Sequence, residues 1–223
     1  MVKLHVLLAV LCFLAACQNV PRIADSSNEG NWSRDVSSFM KSNQMAYEVR
    51  ENLNDWRYSA KVGISTPDAR EQANLVWQFA DQANQVRLFG PLGVGAIKIE
   101  FDQFGVVLSD SRKVLHRGNS AEALMNEIVG WPIPIDALSY WLFALPLPDK
   151  AFQYQDNDSG GLYKLKQLGW EIEYSNYKPY VLNDSQSPIV DGHQEYLPSK
   201  IIASKYDENG GSVVVKLITK GWQ

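Results

Sequence analysis

Between residues 32 and 52 the residues Trp32, Val36, Phe39 or Met40, Asn43 and Tyr47 recur three to four apart, with charge between them. That spacing predicts a helix over 32–52 with one stripe facing inward. At Trp56 the period changes to two. Trp56, Tyr58, Ala60, Val62 and Ile64 fall on one face, with Arg57, Ser59 and Lys61 on the other. Leu75, Trp77 and Phe79 repeat the alternation, followed by Val86 and Leu88. Ile97, Ile99 and Phe101 then stand against Lys98 and Glu100, and Phe104, Val106 and Leu108 come after them. These are strand patterns bounded by turn residues. The gaps between them are too short for crossover helices, so neighbouring strands should run antiparallel.

The middle of the chain breaks this rhythm. Ser120 can cap a short helix running to Val129, with Gly130 as its stop. Trp131-Pro132-Ile133-Pro134 cannot be helical. Asp136 is then expected to cap a second short helix carrying Leu138, Trp141 and Leu142, ending before Pro146. Strands resume at Phe152 and Tyr154, Leu162 to Leu165, Leu168 to Tyr174, around Ile201, and at Val213 to Ile218. Gly160-Gly161 and Asn209-Gly210 are hairpin signals. No internal repeat is found. The sum is a mainly β chain of about ten or eleven short antiparallel strands with two short helices between them. A sheet that long must curl or close, and curled sheets of this size can enclose a ligand cavity. Its inward wall is rich in Trp, Tyr, Phe, Leu and Ile, which suits a lipid, although ordinary core packing accounts for any one of them.

The first residues follow neither period. Lys3 supplies a positive start, Leu4 to Leu14 form an apolar run broken only by His5, and Leu14-Ala15-Ala16-Cys17 follows. Charge, apolar segment and small residues in that order describe a secretory signal peptide over residues 1–16. The Leu-Ala-Ala-Cys tetrapeptide is similar to the lipobox of bacterial lipoproteins. That resemblance implies cleavage before Cys17, a diacylglyceryl group on its sulfur and a third acyl chain on its nitrogen. Two or more chains anchor a protein stably where one is marginal. Gln18, where Asp would mean inner-membrane retention, implies by the same resemblance the outer membrane. Gln18 to Asn31 is polar, with Pro21, Gly30 and several Ser and Asn residues, and is expected to be a flexible tether. Such a stretch reaches roughly 45–50 Å when extended. Residues 17–31 are thus read as lipidated terminus and tether, and 32–223 as one domain.

Composition narrows what that domain can do. Lys and Arg number 21 against 25 Asp and Glu, a formal charge of −4, and with no basic block a nucleic-acid partner is not expected. Both cysteines lie within the first 17 residues, so the body should hold neither disulfide nor cysteine metal site. No later apolar run approaches the 18 or so residues of a spanning helix. The sequence has no G-x-S-x-G elbow and no H-E-x-x-H. Asp191-Gly192-His193 with Glu195 offers metal-capable side chains in a weak spacing, and His116 beside Arg117 reads as a solvated edge. Gly90, Gly93 and Gly95 are followed by a strand where a dinucleotide site needs a helix. An enzyme is not expected, nor a cofactor.

Three short windows carry a resemblance. Arg87-Leu88-Phe89-Gly90-Pro91-Leu92-Gly93 lies between two strands. Gly130-Trp131-Pro132-Ile133-Pro134 leads to Trp141-Leu142-Phe143-Ala144-Leu145-Pro146, and Trp56-Arg57-Tyr58-Ser59-Ala60 forms the first strand. With the lipobox, these resemble the outer-membrane lipoprotein receptor family LolB, across roughly residues 32 to 222. The resemblance implies an incomplete antiparallel β-barrel lidded by helices around an apolar cavity. It also implies acceptance of acylated lipoprotein cargo from the periplasmic carrier LolA and its insertion into outer-membrane lipid from the periplasmic face, by a monomer. It gives Leu92, in the Pro91-Leu92-Gly93 turn, a part in membrane insertion. On the same footing the acyl-chain cavity is assigned to Trp56, Tyr58, Trp77, Phe79, Ile97, Ile99 and Phe101 on strands, and to Leu124, Ile128, Leu138 and Leu142 in the lid. Two other readings stand beside it: a lipid-anchored structural or assembly lipoprotein with a packed core, and a hydrophobic-ligand carrier that never meets LolA. The segment 157–161 and the loop 183–195 match no family motif.

Overall fold

The alternation that begins at Trp56 produces β1 (Asp55–Ser65), in which Trp56, Tyr58, Ala60, Val62 and Ile64 are all buried. The computed structural model describes residues 32–90, 95–157, 161–182, 192–206 and 211–223. Cys17, the tether, Pro91, Leu92, Gly93, Gly160 and Asn209-Gly210 lie outside the described residues. The remaining strands are β2 (Arg70–Ala80), β3 (Ala83–Phe89), β4 (Ile97–Asp102), β5 (Gly105–Ser109), β6 (Leu115–Gly118), β7 (Phe152–Asp156), β8 (Leu162–Gln167), β9 (Trp170–Leu182), β10 (His193–Tyr206) and β11 (Ser212–Trp222). They form one antiparallel sheet in the order β6-β5-β4-β3-β2-β1-β11-β10-β9-β8-β7. The first and last strands pair with each other, Val62 opposite Leu217 and Ile64 opposite Val215. The sheet's two edges, β6 and β7, are neighbours in sequence but not in hydrogen bonding, so the barrel is unclosed.

The helices cover what the sheet leaves open. The predicted helix 32–52 is two: α1 (Val36–Ser42) and α2 (Gln44–Asn52). The break falls at Asn43, whose side-chain amide and backbone N–H both donate to the Phe39 carbonyl (2.9 and 3.0 Å). A side chain that competes for backbone groups favours helix ends over helix interiors. α1 begins only at Val36 because the Asp35 carboxylate accepts from the Ser38 N–H at 3.0 Å. Trp32 lies ahead of it, and Ser33 exchanges backbone bonds with Tyr154 on the edge strand β7 (2.8 and 3.0 Å). Phe39 packs on Phe152 and Tyr154 with ring centroids at 5.3 and 4.8 Å. That edge is therefore covered, as an unpaired strand requires.

Between the edges runs the lid. Ser120 accepts from the Ala123 N–H at 3.2 Å and starts α3 (Ala121–Leu124), which continues as a π-helical turn over Met125–Val129. Gly130 ends it in the left-handed region at φ +77°, where other residues are strained. At Gly118 a Cβ would meet Leu124 Cγ at 3.1 Å, so the bare backbone of β6 lets α3 sit close on that edge. α4 (Ile135–Trp141) follows with Pro134 at its N-cap. Asp136, expected to be the cap, lies inside the first turn, because Pro134 supplies the first carbonyl to Leu138 N–H at 2.8 Å.

One other expectation is corrected. Phe104 does not continue the buried face of β5. It sits at the β4–β5 turn, 86% exposed, where Asp102 Oδ1 accepts from the Phe104 and Gly105 N–H groups (2.7 and 3.2 Å). His116 lies within the edge strand β6, its side chain 25% exposed, with Nε2 buried and 3.7 Å from Asp110 Oδ2.

Candidate functional site

The interior is filled unevenly along the barrel. Near the end formed by the β2–β3 turn and the close of β11, aromatic rings fill the space. Trp222 lies 4.7 Å from Tyr58, 4.6 Å from Phe143 and 5.8 Å from Trp56, while Trp56 stacks with Phe79 at 6.0 Å and Trp77 meets Phe101 at 6.2 Å. Toward the other end, where β3 finishes and β4 begins, the side chains are aliphatic. A small void remains there, with about 20 Å³ of free space, room for a single water-sized body.

The void has a wall and a roof. Val62 and Ile64 of β1, Leu75 and Trp77 of β2, Val86 and Leu88 of β3, and Val215 and Leu217 of β11 form the wall. Met125 of the π-helical turn, Trp131 and Ile133 of the extended Pro-rich segment, and Ile135 and Leu138 of α4 form the roof. The Gly130 reversal is what aims them inward: it lets the Trp131 N–H reach back to the Met125 carbonyl at 3.2 Å. Larger grooves lie outside the barrel, about 650 Å³ beside Phe104 and about 700 Å³ beside Phe152 and Trp170. Both are open to solvent, and polar side chains line much of each.

Of the residues expected to form the acyl-chain cavity, Trp77 and Leu138 border the void. Trp56, Tyr58, Ile99, Leu124 and Leu142 are buried in the surrounding core, and Phe79, Ile97, Phe101 and Ile128 are half-buried against it. Sequence reasoning missed the aliphatic wall, Val62, Ile64, Leu75, Val86, Leu88, Val215 and Leu217, by favouring aromatic residues. The signal was present: all seven are inward positions of the same alternation. It also missed Trp131 and Ile133, since a Pro-rich segment reads as a loop and loops are placed on the surface.

Polar groups tie the lid down around this apolar interior. Gln167, 2% exposed, accepts from Trp141 Nε1–H (3.0 Å) and the Leu147 N–H (2.8 Å), and donates to the Leu147 carbonyl (2.9 Å). On the outer side the Arg50 guanidinium lies 4.1 Å over the Tyr140 ring and donates to Ser139 Oγ at 3.3 Å. Tyr140 donates to Glu51 at 2.7 Å, and burial followed by that bond pushes its hydroxyl pKa up to about 12. Tyr47 donates to the Pro146 carbonyl at 2.9 Å. His193 and Glu195, the pair considered for a metal, stand at the start of β10 and bond to each other at 2.9 Å. Among the described residues no three metal-capable side chains come together.

The interior of the described residues is thus apolar and roofed, with about 20 Å³ of free space as it stands. Residues 54–222 match the family model described as "Outer membrane lipoprotein LolB". Among individual proteins, the chain is similar to an outer-membrane lipoprotein LolB of Francisella tularensis subsp. tularensis, 32% identical over 81% of this chain and 79% of the relative. It is 29% identical to those of Chromohalobacter salexigens (76% of this chain, 74% of the relative) and Pseudomonas putida (79% and 78%). Among solved structures it is similar to a LolA superfamily protein from Nitrosomonas europaea, at 12% identity, TM-score 0.47, covering 80% of this chain and 92% of that one. A second is a domain of a lipoprotein-sorting protein from Vibrio parahaemolyticus, at 9% identity, TM-score 0.49, covering 81% and 90%.

Proposed function

The chain belongs to the outer-membrane lipoprotein LolB family, and from that premise we propose that it accepts acylated lipoproteins from the periplasmic carrier LolA and inserts them into the outer membrane. It is a lipid-anchored outer-membrane protein with a role in lipoprotein localisation. In the proposed form Cys17 carries the anchor, residues 18–31 are the tether, and the body works as a monomer at the periplasmic face.

One observation carries the reading. The apolar void lies under a helical roof at the end of the barrel where β3 passes to β4, the connection that contains Pro91, Leu92 and Gly93. The physical need for such a site is plain. A cargo with three chains of about 14 carbons would cost roughly 30 kcal/mol to expose to water, at ~0.8 kcal/mol per methylene. Exchange between two apolar pockets replaces that barrier by a near-balanced step, and a modest affinity difference then gives direction. Since the closed void holds about 20 Å³, an acyl chain enters only when the roof lifts from the wall. Leu92 acts in the last step: one leucine buried in the bilayer contributes about 1.5–3 kcal/mol, too little to anchor the protein but enough to bias a tethered body toward the membrane.

Transfer tests this directly. With the acylated chain in proteoliposomes and purified LolA carrying a labelled lipoprotein, the label should move to the chain and then to lipid. Leu92→Glu should accept cargo normally and deliver it poorly, while Leu92→Phe retains delivery. Cargo that stays on LolA would overturn the receptor reading and leave a packed barrel. Normal delivery by Leu92→Glu would overturn the role of Leu92 alone.

A further inference from the structure

Several buried aromatic donors of this fold have an acceptor. Trp77 Nε1–H donates to Asn84 Oδ1 at 2.9 Å, Trp141 Nε1–H to Gln167 Oε1 at 3.0 Å, and Tyr47 to the Pro146 carbonyl at 2.9 Å. Two neutral donors on the inner wall break that pattern. The Tyr174 hydroxyl and the Trp222 indole N–H are buried and have no hydrogen-bond partner among the described residues. Arg50 Nε and His116 Nε2 also lack one, but those side chains are otherwise engaged, with Ser139 and with Asp110. Tyr174 is 1% exposed and Trp222 7%. A buried donor left without an acceptor is destabilising, and native folds rarely keep one without a reason.

Their positions say what could satisfy them. Tyr174 pairs with Ile201, Ile201 with Leu217, and Leu217 with Val62, so Tyr174 stands at the level of the void, two strands along the wall from Leu217. Trp222 lies further along β11, at the ring-filled end of the interior, opposite Tyr58 and against Phe143, which follows α4. A guest filling this interior with hydrocarbon alone would leave both donors orphaned. A guest whose chains are joined through carbonyls would not. The lipid of an acylated cysteine has two ester carbonyls on its diacylglyceryl group and one amide carbonyl on its nitrogen, each an acceptor set among methylenes.

We propose that Tyr174 and Trp222 are the polar recognition points of the cavity, donating to the ester and amide carbonyls that link acyl chains to the first residue of the cargo. This deepens the receptor reading and rests on it. The cavity then distinguishes acylated cargo from plain hydrocarbon, and it fixes how deep the linkage region sits.

The test compares a diacylglyceryl lipopeptide with its di-O-alkyl ether counterpart, which has the same chains without ester carbonyls, by titration of the full chain in detergent. The wild type should bind the ester roughly threefold to tenfold more tightly, the worth of about one net hydrogen bond. Tyr174→Phe should lose most of that preference while binding the ether as before, and should unfold at the same or a higher urea concentration. Trp222→Phe, which also removes volume, is judged only by its ester-to-ether ratio, and that ratio should fall. A wild type without ester preference, or both variants keeping it, would overturn the proposal and leave the receptor reading standing. Binding of neither probe would overturn both.

Discussion

At the scale of the residue, Gln167 shows how a barrel with an apolar lining holds a lid. Its amide is buried where β8 ends, and it satisfies the indole of α4 together with both backbone groups of Leu147. Gln167→Leu keeps the volume but strands three buried polar groups. An unpartnered group costs about 1–3 kcal/mol, and the effects overlap, so a loss of roughly 2–4 kcal/mol is expected. Urea unfolding with tryptophan fluorescence measures it; a loss under half a kilocalorie would mean that the lid is held elsewhere. Nothing in the sequence singled out this glutamine. A polar residue at a strand end is ordinarily solvated, and only the fold of α4 back over β8 makes it interior. The wall positions differ: Val62 and Ile64 were legible as inward from alternation alone, while their share in the void was not, because which inward residues touch depends on the sheet's curvature.

At the scale of the element, the strands were easy to read and the helices were not. Period two survives in β1, β2, β4 and β9 because one face is buried and the other wet. Short helices carry only two or three turns of pattern, so the Asn43 break and the Pro134 start depend on caps more than on periodicity. α4 rests on α2 through Arg50, which bridges Ser139 and the Tyr140 ring. Arg50→Ala removes a stacked cation and a hydrogen bond and should cost about 1–2 kcal/mol. More tellingly, hydrogen exchange over residues 135–141 should quicken while the amides of β1 and β11 stay protected. Equal protection of α4 in both proteins would show that Arg50 does not hold the lid.

At the scale of the whole molecule, buried tyrosines set the behaviour in base. Burial raises the hydroxyl pKa of Tyr47, Tyr58, Tyr174 and Tyr177 well above the ordinary value near 10. Below about pH 10 both folded and unfolded chains keep these protons, so their contribution is constant. Above it the unfolded chain releases protons that the folded chain retains, and stability falls as pH rises toward the folded values. The urea midpoint should therefore drop between pH 9 and pH 11, roughly the span in which free tyrosine ionises, and Tyr58→Phe should soften the drop. An unchanged midpoint would mean that these hydroxyls are wetter than the fold indicates. A different property follows from pairing the first strand with the last and leaving β6 and β7 apart. A closed barrel fixes its own circumference through strand number and stagger, so swelling it means tearing a ladder. This wall is a sleeve slit along one side. Its girth can grow by bending alone, with every strand pair intact and only the helical band across the slit drawn outward.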